Sequence, residues 1–365
     1  MKKSNNPFAL TSPVYPPFTV GNEAYSGVAE ILRPFGSRVL LIGGHKALAA
    51  GLEPLQKALN GNGILLSVAP FSGDCTLLQA REFAQTAKAI EAAAILGMGG
   101  GRTLDAAKAA AYYTGLPVIT LPTIAATCAA VTALSVMHHP EGSAFSPILF
   151  LDRPPLHVFL HTGILSRSPA MYLRAGIGDS LAKHIESDFK AGNGAGLHYM
   201  DRLGLAAAKL GYETLMSIGR EALTDAQQGN DSAAFRLAVQ CCVVNTGIVS
   251  LLVEERLNGG LAHSLFYALR EDPLFNAFLH GDVVAWGSLV QLMLEGKAEE
   301  ARRLKAFLHS IGVPSALFEM GIHPDSLRPW LSAALRQQDM ADTPYPVTEA
   351  LLMDALERTE ALERQ

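Results

Sequence analysis

A run of glycines between an apolar segment and an alanine-rich segment constrains the fold of this chain most strongly. Residues 92–96 are apolar, residues 97–101 read Gly-Met-Gly-Gly-Gly, and an alanine-rich helical pattern follows from Arg102. Glycines at a strand-to-helix turn let an anion touch the backbone, where free amides and the positive end of the helix dipole attract it. The run therefore predicts a turn that holds the phosphates of a nucleotide cofactor. A triple glycine can also mark only a tight turn, and its order relative to Asp105 and Lys108 matches neither the usual dinucleotide fingerprint nor a P-loop.

The same strand, turn and helix pattern recurs through about residue 160. Apolar strands are predicted at residues 38–42, 64–68, 92–96 and 116–121, with helices at about 45–59 and 77–90. Strands that alternate with crossover helices form a parallel sheet covered on both faces, and ligands bind beyond the carboxyl ends of its strands.

The second half of the chain has a different texture. After about Ser166, long alanine- and leucine-rich segments dominate, and Ser168 with Pro169 resembles a capped helix start. We therefore predict an α/β domain over residues 1–165 and a helical domain over residues 166–365.

Composition narrows the classes of partner. The 365 residues are 49% hydrophobic and carry a net charge of -5, which gives no general attraction to nucleic acid or to an anionic membrane. No charge-free apolar stretch reaches the roughly 18 to 20 residues of a membrane helix.

The N-terminal segment and the cysteines bear on the cellular compartment. Segment 1–7 is polar and contains proline where a secretory signal is apolar, and the four cysteines lack zinc-knuckle spacing. We expect a cytoplasmic protein with reduced thiols.

Three polar residues in the second half are candidates for a metal site. Asp179 follows Gly-Ile-Gly, His263 follows Gly-Gly-Leu-Ala, and His280 precedes Gly-Asp. A carboxylate and two imidazoles suit a divalent metal that keeps a position open for substrate. Taken singly, each residue is more often structural than a metal ligand, because lone histidines are usually hydrogen-bonded and Asp after Gly is a common helix cap.

Four motifs occur together in one order: the glycine run with Asp105 and Lys108, the stretch 122–127 (Pro-Thr-Ile-Ala-Ala-Thr), the Gly-Ile-Gly-Asp segment, and the histidine pair. Over roughly residues 30–290 this combination resembles the glycerol dehydrogenase branch of the iron-containing alcohol dehydrogenase superfamily. The resemblance implies a parallel-sheet nucleotide-binding domain followed by an all-helical metal-binding domain, the fold of dehydroquinate synthase and glycerol dehydrogenase.

The resemblance also implies roles for individual residues. Asp179, His263 and His280 match the metal ligands and catalytic centre, with Zn²⁺ expected and Fe²⁺ or another divalent metal as the alternative. The positions predicted to contact the cofactor are Gly44, Gly99, Gly100, Gly101, Arg102, Asp105, Lys108, Thr123, Thr132 and Leu134.

Two predicted substrate positions depart from the family pattern. Glycerol dehydrogenases carry an aspartate where this chain has Cys128, and a thiol is a poor acceptor for polyol hydroxyls. The segment 127–130 looks like the hydroxycarboxylate dehydrogenase subgroup, which implies reduction of 2-oxo acids to 2-hydroxy acids; alternatively, Cys128 packs as a small hydrophobe. Phe266 stands where the family commonly has another histidine, which implies either a more apolar pocket or weaker catalysis.

The adenosine end leaves the cofactor open. NAD-dependent members often place an acid after the first strand, whereas this chain has Gly44 followed by His45 and Lys46. Without a carboxylate to repel a 2'-phosphate, NADP is as acceptable as NAD. His45 and Lys46 also fit an exposed helix start.

The sequence thus predicts a metal-dependent oxidoreductase that transfers hydride between NAD(P) and a secondary alcohol or 2-hydroxy acid. The alternative within the family is a glycerol or polyol dehydrogenase. Alternatives of other classes are a catalytically impaired nucleotide-binding protein and a dehydroquinate synthase-like lyase, whose metal site carries a glutamate. The expected partners are a small-molecule substrate and, from the resemblance, further copies of the chain, with no nucleic acid and no membrane.

Overall fold

A computed structural model describes residues 14–139, 148–270, 275, 277–322 and 327–362. Segment 1–7, on which the expectation about secretion rests, lies outside the described residues. The chain divides into two compact units, the first of Met1–Ala170 with Asp225–Val239 and the second of Met171–Thr224 with Gln240–Gln365. The domain boundary after residue 165 stays a prediction.

The first unit is built on a six-stranded parallel sheet in the order β1-β8-β5-β4-β2-β3. A separate short antiparallel pair joins β6 to β7. The strands are β1 (Phe18–Gly21), β2 (Arg38–Gly44), β3 (Leu65–Phe71), β4 (Ala94–Gly99), β5 (Val118–Pro122), β6 (Leu134–Ser135), β7 (Leu149–Phe150) and β8 (His157–His161).

Helices cover both faces of this sheet, as its apolar strands require. On β2, Val39 and Leu41 pack with residues of α1 and α2, whereas Leu40 and Ile42 point to the other face and pack with α3 and α4. The α-helices are α1 (Val28–Leu32), α2 (His45–Leu59), α3 (Leu77–Ala89), α4 (Gly101–Thr114), α5 (Thr162–Leu165), α6 (Met171–Ala191), α7 (Tyr199–Gln228), α8 (Ala233–Val239), α9 (Thr246–Leu252), α10 (Leu261–Leu269), α11 (His280–Leu294), α12 (Ala298–Ser310), α13 (Arg328–Leu335) and α14 (Glu349–Glu360).

The predicted architecture of a parallel-sheet half followed by a helical half is confirmed. The described residues of the second unit are helical or irregular, and α6, α10 and α11 form its centre. One detail of the prediction is wrong: α6 begins at Met171, not at Pro169, because the Ser168 hydroxyl donates to the carbonyl of Leu165 at 2.7 Å and so closes the preceding turn.

Segment Ala233–Leu252 is, among the described residues, a helix long and apolar enough to cross a membrane by length and composition alone. It runs through α8, a π-helical stretch (Gln240–Asn245) and α9. Most of this segment is buried inside the protein, and the buried core helix of a soluble protein has the same length and apolar composition.

Candidate functional site

The carboxyl ends of β2 and β4 lie side by side, and the predicted glycines lie there. β2 ends at Gly44 and leads to α2 on one face, while β4 ends at Gly99 and leads to α4 on the other face. This reversal is a topological switch point, where open parallel sheets form a ligand-binding crevice. The next strand, β5, brings Thr123 alongside, since the Thr123 amide donates to the carbonyl of Gly99 at 3.1 Å.

The glycines of this turn leave little room for a side chain. A Cβ on Gly99 would lie 2.8 Å from Thr103 Oγ1, and one on Gly100 would lie 2.7 Å from Ile124 Cδ1. Gly100 is the N-cap of α4 and has no side chain to bond the first amides of the helix. Those amides are thus donors suited to an anion at the switch point.

The other predicted cofactor positions on α4 are held by side-chain contacts. Arg102 forms an exposed ion pair with Asp74 at 2.8 Å. Lys108 is fully buried, forms an ion pair with Asp105 at 2.9 Å, and donates to Thr132 Oγ1 at 3.1 Å and to the carbonyl of Leu134. Asp105 and Lys108 therefore anchor the segment of Thr132 and Leu134 against α4.

The buried ion pair of Asp105 and Lys108 should contribute to the stability of the first unit. Burial raises the pKa of Asp105, and Lys108 partly offsets this. In Lys108→Met, the carboxyl of Asp105 is left without its cation, so we expect a loss of about 3–5 kcal/mol in the free energy of unfolding. Urea unfolding measures it, with Lys209→Met as the control because Lys209 pairs with Glu213 on the surface. An equal, small effect in both variants would contradict the anchoring role.

In the second unit the structure brings Asp179, His263 and His280 together. One ligand atom from each lies within 4.8 Å of the others. Asp179 Oδ1 is 3.4 Å from His263 Nε2 and 3.3 Å from His280 Nε2. The residues come from three helices, α6, α10 and α11, so the site depends on how these helices pack.

Glycines next to these residues let the helices approach. Gly281 follows His280, and a Cβ there would lie 1.8 Å from the carbonyl oxygen of Ala175 on α6. Gly178 precedes Asp179, and a Cβ there would lie 2.4 Å from the carbonyl oxygen of Gly281. The backbones of α6 and α11 therefore touch directly beside two of the three donors.

Further contacts fix the arrangement. A Cβ on Gly287 of α11 would lie 2.9 Å from the Cα of Ala262, the neighbour of His263 on α10. Arg174 of α6 binds the buried carboxylate of Asp282 of α11 through two hydrogen bonds, of 3.1 and 2.7 Å. The three helices are thus locked at the level of the donor atoms.

A fourth residue, Glu186, was missed by the sequence reasoning. It is fully buried on α6, and its Oε2 lies 2.6 Å from Nδ1 of His263. Its Oε1 accepts from the backbone amide of His263 at 2.9 Å. The available signal was spacing, because Glu186 follows Asp179 by seven residues, about two helical turns, and so shares its helix face.

The electrostatics of the cluster favour positive charge. Burial raises the pKa of Asp179, but hydrogen bonds from His263 and His280 outweigh it and hold that pKa well below its usual range. Burial lowers the pKa of His263, but Glu186 and Asp179 outweigh it and raise that pKa to about 10. Two buried carboxylates therefore stabilise a cation between them.

The donor set has the chemistry of a divalent-cation site. Asp179 supplies a carboxylate oxygen, and His263 turns Nε2 toward it because Nδ1 faces Glu186. His280 is 31% exposed in its side chain, so one side of the cluster is open to an incoming molecule. Nitrogen and oxygen ligands with an open position are typical of catalytic metal sites.

Comparison with known proteins decides the family. The model of the iron-containing alcohol dehydrogenase family matches residues 16–153. A glycerol dehydrogenase of Escherichia coli O6:H1 is 34% identical over 84% of this chain and 83% of its own length. The chain belongs to the glycerol dehydrogenase-like branch of the iron-containing alcohol dehydrogenase superfamily.

Other comparisons agree with this membership. Hydroxycarboxylate dehydrogenase A of Escherichia coli is 33% identical, with 78% of each chain covered. The crystal structure of a probable glycerol dehydrogenase from Sinorhizobium meliloti 1021 superposes with a TM-score of 0.85 at 25% identity, covering 96% of this chain and 98% of its own. As a member of this branch, the protein is an NAD-linked alcohol dehydrogenase that acts on CH-OH donors.

The two departures from the branch lie in different units of this dehydrogenase. In the second unit, the ring of Phe266 stands at 90° to the imidazole of His280 with centroids 4.2 Å apart. An apolar edge therefore lies against the open histidine of the cluster. In the first unit, Cys128 is half-buried, and its carbonyl accepts from the amide of Val131 at 2.9 Å, which closes a turn after Thr127.

Proposed function

We propose that this dehydrogenase transfers hydride between NAD(P) and a secondary alcohol or 2-hydroxy acid at a divalent metal held by Asp179, His263 and His280. The observation that carries the proposal is the convergence of these three donors from three helices within 4.8 Å. Zn²⁺ is the proposed metal, with Fe²⁺ as the alternative, because imidazole suits both ions.

Each residue has a stated task in this proposal. The carboxylate of Asp179 and the Nε2 atoms of His263 and His280 hold the cation, and Glu186 Oε2 holds the proton on Nδ1 of His263. When bound, the cation supplies Lewis-acid stabilisation of negative charge on the substrate oxygen. The ring of Phe266 excludes water from one side of His280.

The first unit is proposed to hold the cofactor. The α4 amides at Gly100 and Gly101 receive the diphosphate, with Arg102 beside it, and Gly44 and Thr123 line the crevice. Thr132 and Leu134, which Asp105 and Lys108 anchor, are proposed to lie along the bound cofactor.

The proposed substrate is a 2-hydroxy acid, reduced from its 2-oxo acid in the reverse direction. Cys128 in place of a carboxylate removes a charge that would repel an anionic substrate, and Phe266 offers no hydrogen bond to a polyol hydroxyl. Glycerol or a related polyol is the second candidate, favoured by the 34% identity to a glycerol dehydrogenase. We further propose that the enzyme is a cytoplasmic homo-oligomer whose domain boundary follows residue 165.

Metal removal tests this function. The metal-depleted protein should lose oxidation of NADH and NADPH across 2-oxo acids, ketones, aldehydes and dihydroxyacetone, and Zn²⁺ or Fe²⁺ should restore it. The rate of each reaction is measured from the fall in absorbance of the reduced cofactor. Absence of any metal-dependent turnover over the whole panel would sink the proposal, whereas a preference for dihydroxyacetone would assign the polyol alternative.

Cofactor choice yields a separate prediction. Gly44 has extended backbone dihedrals that any residue adopts, and a Cβ there would meet Thr103 Oγ1 at 3.4 Å. In Gly44→Asp, the new carboxylate repels a 2'-phosphate and accepts from a 2'-hydroxyl, so NADPH binding should weaken by about 10-fold or more relative to NADH. Fluorescence titration of both cofactors measures the ratio, with Gly44→Asn as the uncharged control. An unchanged ratio would remove Gly44 from the adenosine end.

A further inference from the structure

Resting on the proposed function, we propose that Glu186 is the positioning residue that presents His263 to the metal through Nε2. No motif considered in the sequence pointed to this residue, and it is not one of the three proposed ligands. Its two carboxylate oxygens both contact His263, one at the ring and one at the backbone.

The ring contact fixes the tautomer. A carboxylate only accepts hydrogen bonds, so Glu186 Oε2 at 2.6 Å from Nδ1 requires that Nδ1 carries the proton. Nε2, which lies 3.4 Å from Asp179 Oδ1, is then the ring nitrogen that would give up its proton and bind a metal. Glu186 thereby selects the nitrogen that faces the metal and orients the ring plane.

The backbone contact fixes the helix that carries His263. Helix α10 begins at Leu261 after Gly260, which has no side chain to cap it. Glu186 Oε1 bonds the amide of His263 at 2.9 Å, and Gln291 Oε1 bonds the amide of Leu261 at 3.0 Å. A buried carboxylate at a helix N-terminus also interacts favourably with the helix dipole.

Glu186 has little freedom to move. Its side chain is fully buried, and a Cβ on Gly260 would lie 3.1 Å from its Cβ and Cγ. The side-chain amide of Gln291 also donates to the carbonyl of Ile185, the neighbour of Glu186, at 3.1 Å. The carboxylate is therefore held before any ligand binds, which is the condition for positioning a neighbour.

The test is Glu186→Gln, which keeps the size of the side chain but cannot accept at both ends. If the amide oxygen faces the backbone N-H, the NH₂ group faces Nδ1 and favours the tautomer with the proton on Nε2. If it faces the ring, two N-H donors oppose each other at the backbone. We expect Zn²⁺ affinity, measured by chelator competition without substrate or cofactor, to fall about 10- to 100-fold.

The matched control is Asp188→Asn. Asp188 lies two residues further along α6 and pairs with Lys297 at 3.0 Å on the surface, so this variant should bind Zn²⁺ as the wild type does. If the wild type binds Zn²⁺ and Glu186→Gln binds it with equal affinity, the positioning role alone is overturned. A wild type that binds neither Zn²⁺ nor Fe²⁺ would overturn the proposed function and this inference with it.

A measurement on the wild type stands if Glu186→Gln does not fold. The protein loaded with Co²⁺ should show a hyperfine-shifted proton signal from Nδ1-H of His263. That signal should persist in D₂O, because the carboxylate that binds the proton is fully buried. Loss of every shifted imidazole N-H signal within minutes in D₂O would overturn the inference.

Discussion

Asp179→Asn should abolish turnover while leaving the cofactor bound. Asparagine keeps the shape of the side chain but loses the charge that both histidines face. Metal catalysis contributes several kcal/mol of charge stabilisation, so a fall of about 10³-fold in kcat is expected together with loss of bound metal. Steady-state kinetics and metal analysis measure both effects. Affinity for NAD(P)H should stay within about 2-fold, because the glycine turn belongs to the other unit.

The same experiment tests whether this cluster carries the dehydrogenase reaction. Asp188→Asn is the control on the same helix and should keep both metal and turnover, since its carboxylate pairs with Lys297 on the surface. His280→Ala should behave as Asp179→Asn does. Retention of wild-type turnover by either site variant would remove the cluster from the reaction.

Gly281→Ala should destabilise the second unit strongly. Its Cβ would lie 1.8 Å from a backbone oxygen of α6, which cannot rotate away as a side chain can. Helices α6 and α11 must separate, and overpacking of this kind costs about 3 kcal/mol or more. We expect the melting temperature to fall by roughly 6–12 °C and Zn²⁺ affinity to fall with it, because Asp179 and His280 move apart.

The control is Gly27→Ala. Gly27 has ordinary dihedrals, and a Cβ there would meet Phe159 at 3.5 Å, a normal van der Waals distance. This variant should melt within about 2 °C of the wild type. If Gly281→Ala shows a change as small, the backbone contact between the two helices is not what sets the site.

The sequence predicts the centre of the sheet but not its far edge. β2 and β4 are continuous apolar runs that end in glycines, so their type is clear from composition. β1 has four residues after two prolines, and β8 begins and ends with histidine. These two strands pair with each other across about 140 residues of chain, as Phe18 with Val158, and no local pattern encodes such a partner.

The candidate site divides in the same way. The resemblance pointed to Asp179, His263 and His280, and the structure places them together, although their metal role stays a prediction. Glu186 could not be assigned because a glutamate on a helix is usually solvated, and only the packing of α10 against α6 buries this one. The meaning of Gly281 depends equally on a neighbour distant in sequence, Ala175.

The burial of Lys108 makes its amine a probe of local opening in the parallel-sheet unit. Acylating reagents reach amines such as that of Lys209, which is 63% exposed, in the native protein. The amine of Lys108 is fully enclosed between α4 and the strand at Leu134, so it reacts only when those elements part. The rate at which Lys108 is labelled therefore measures how often this region opens locally. A molecule that binds and stabilises the closed form lowers that rate.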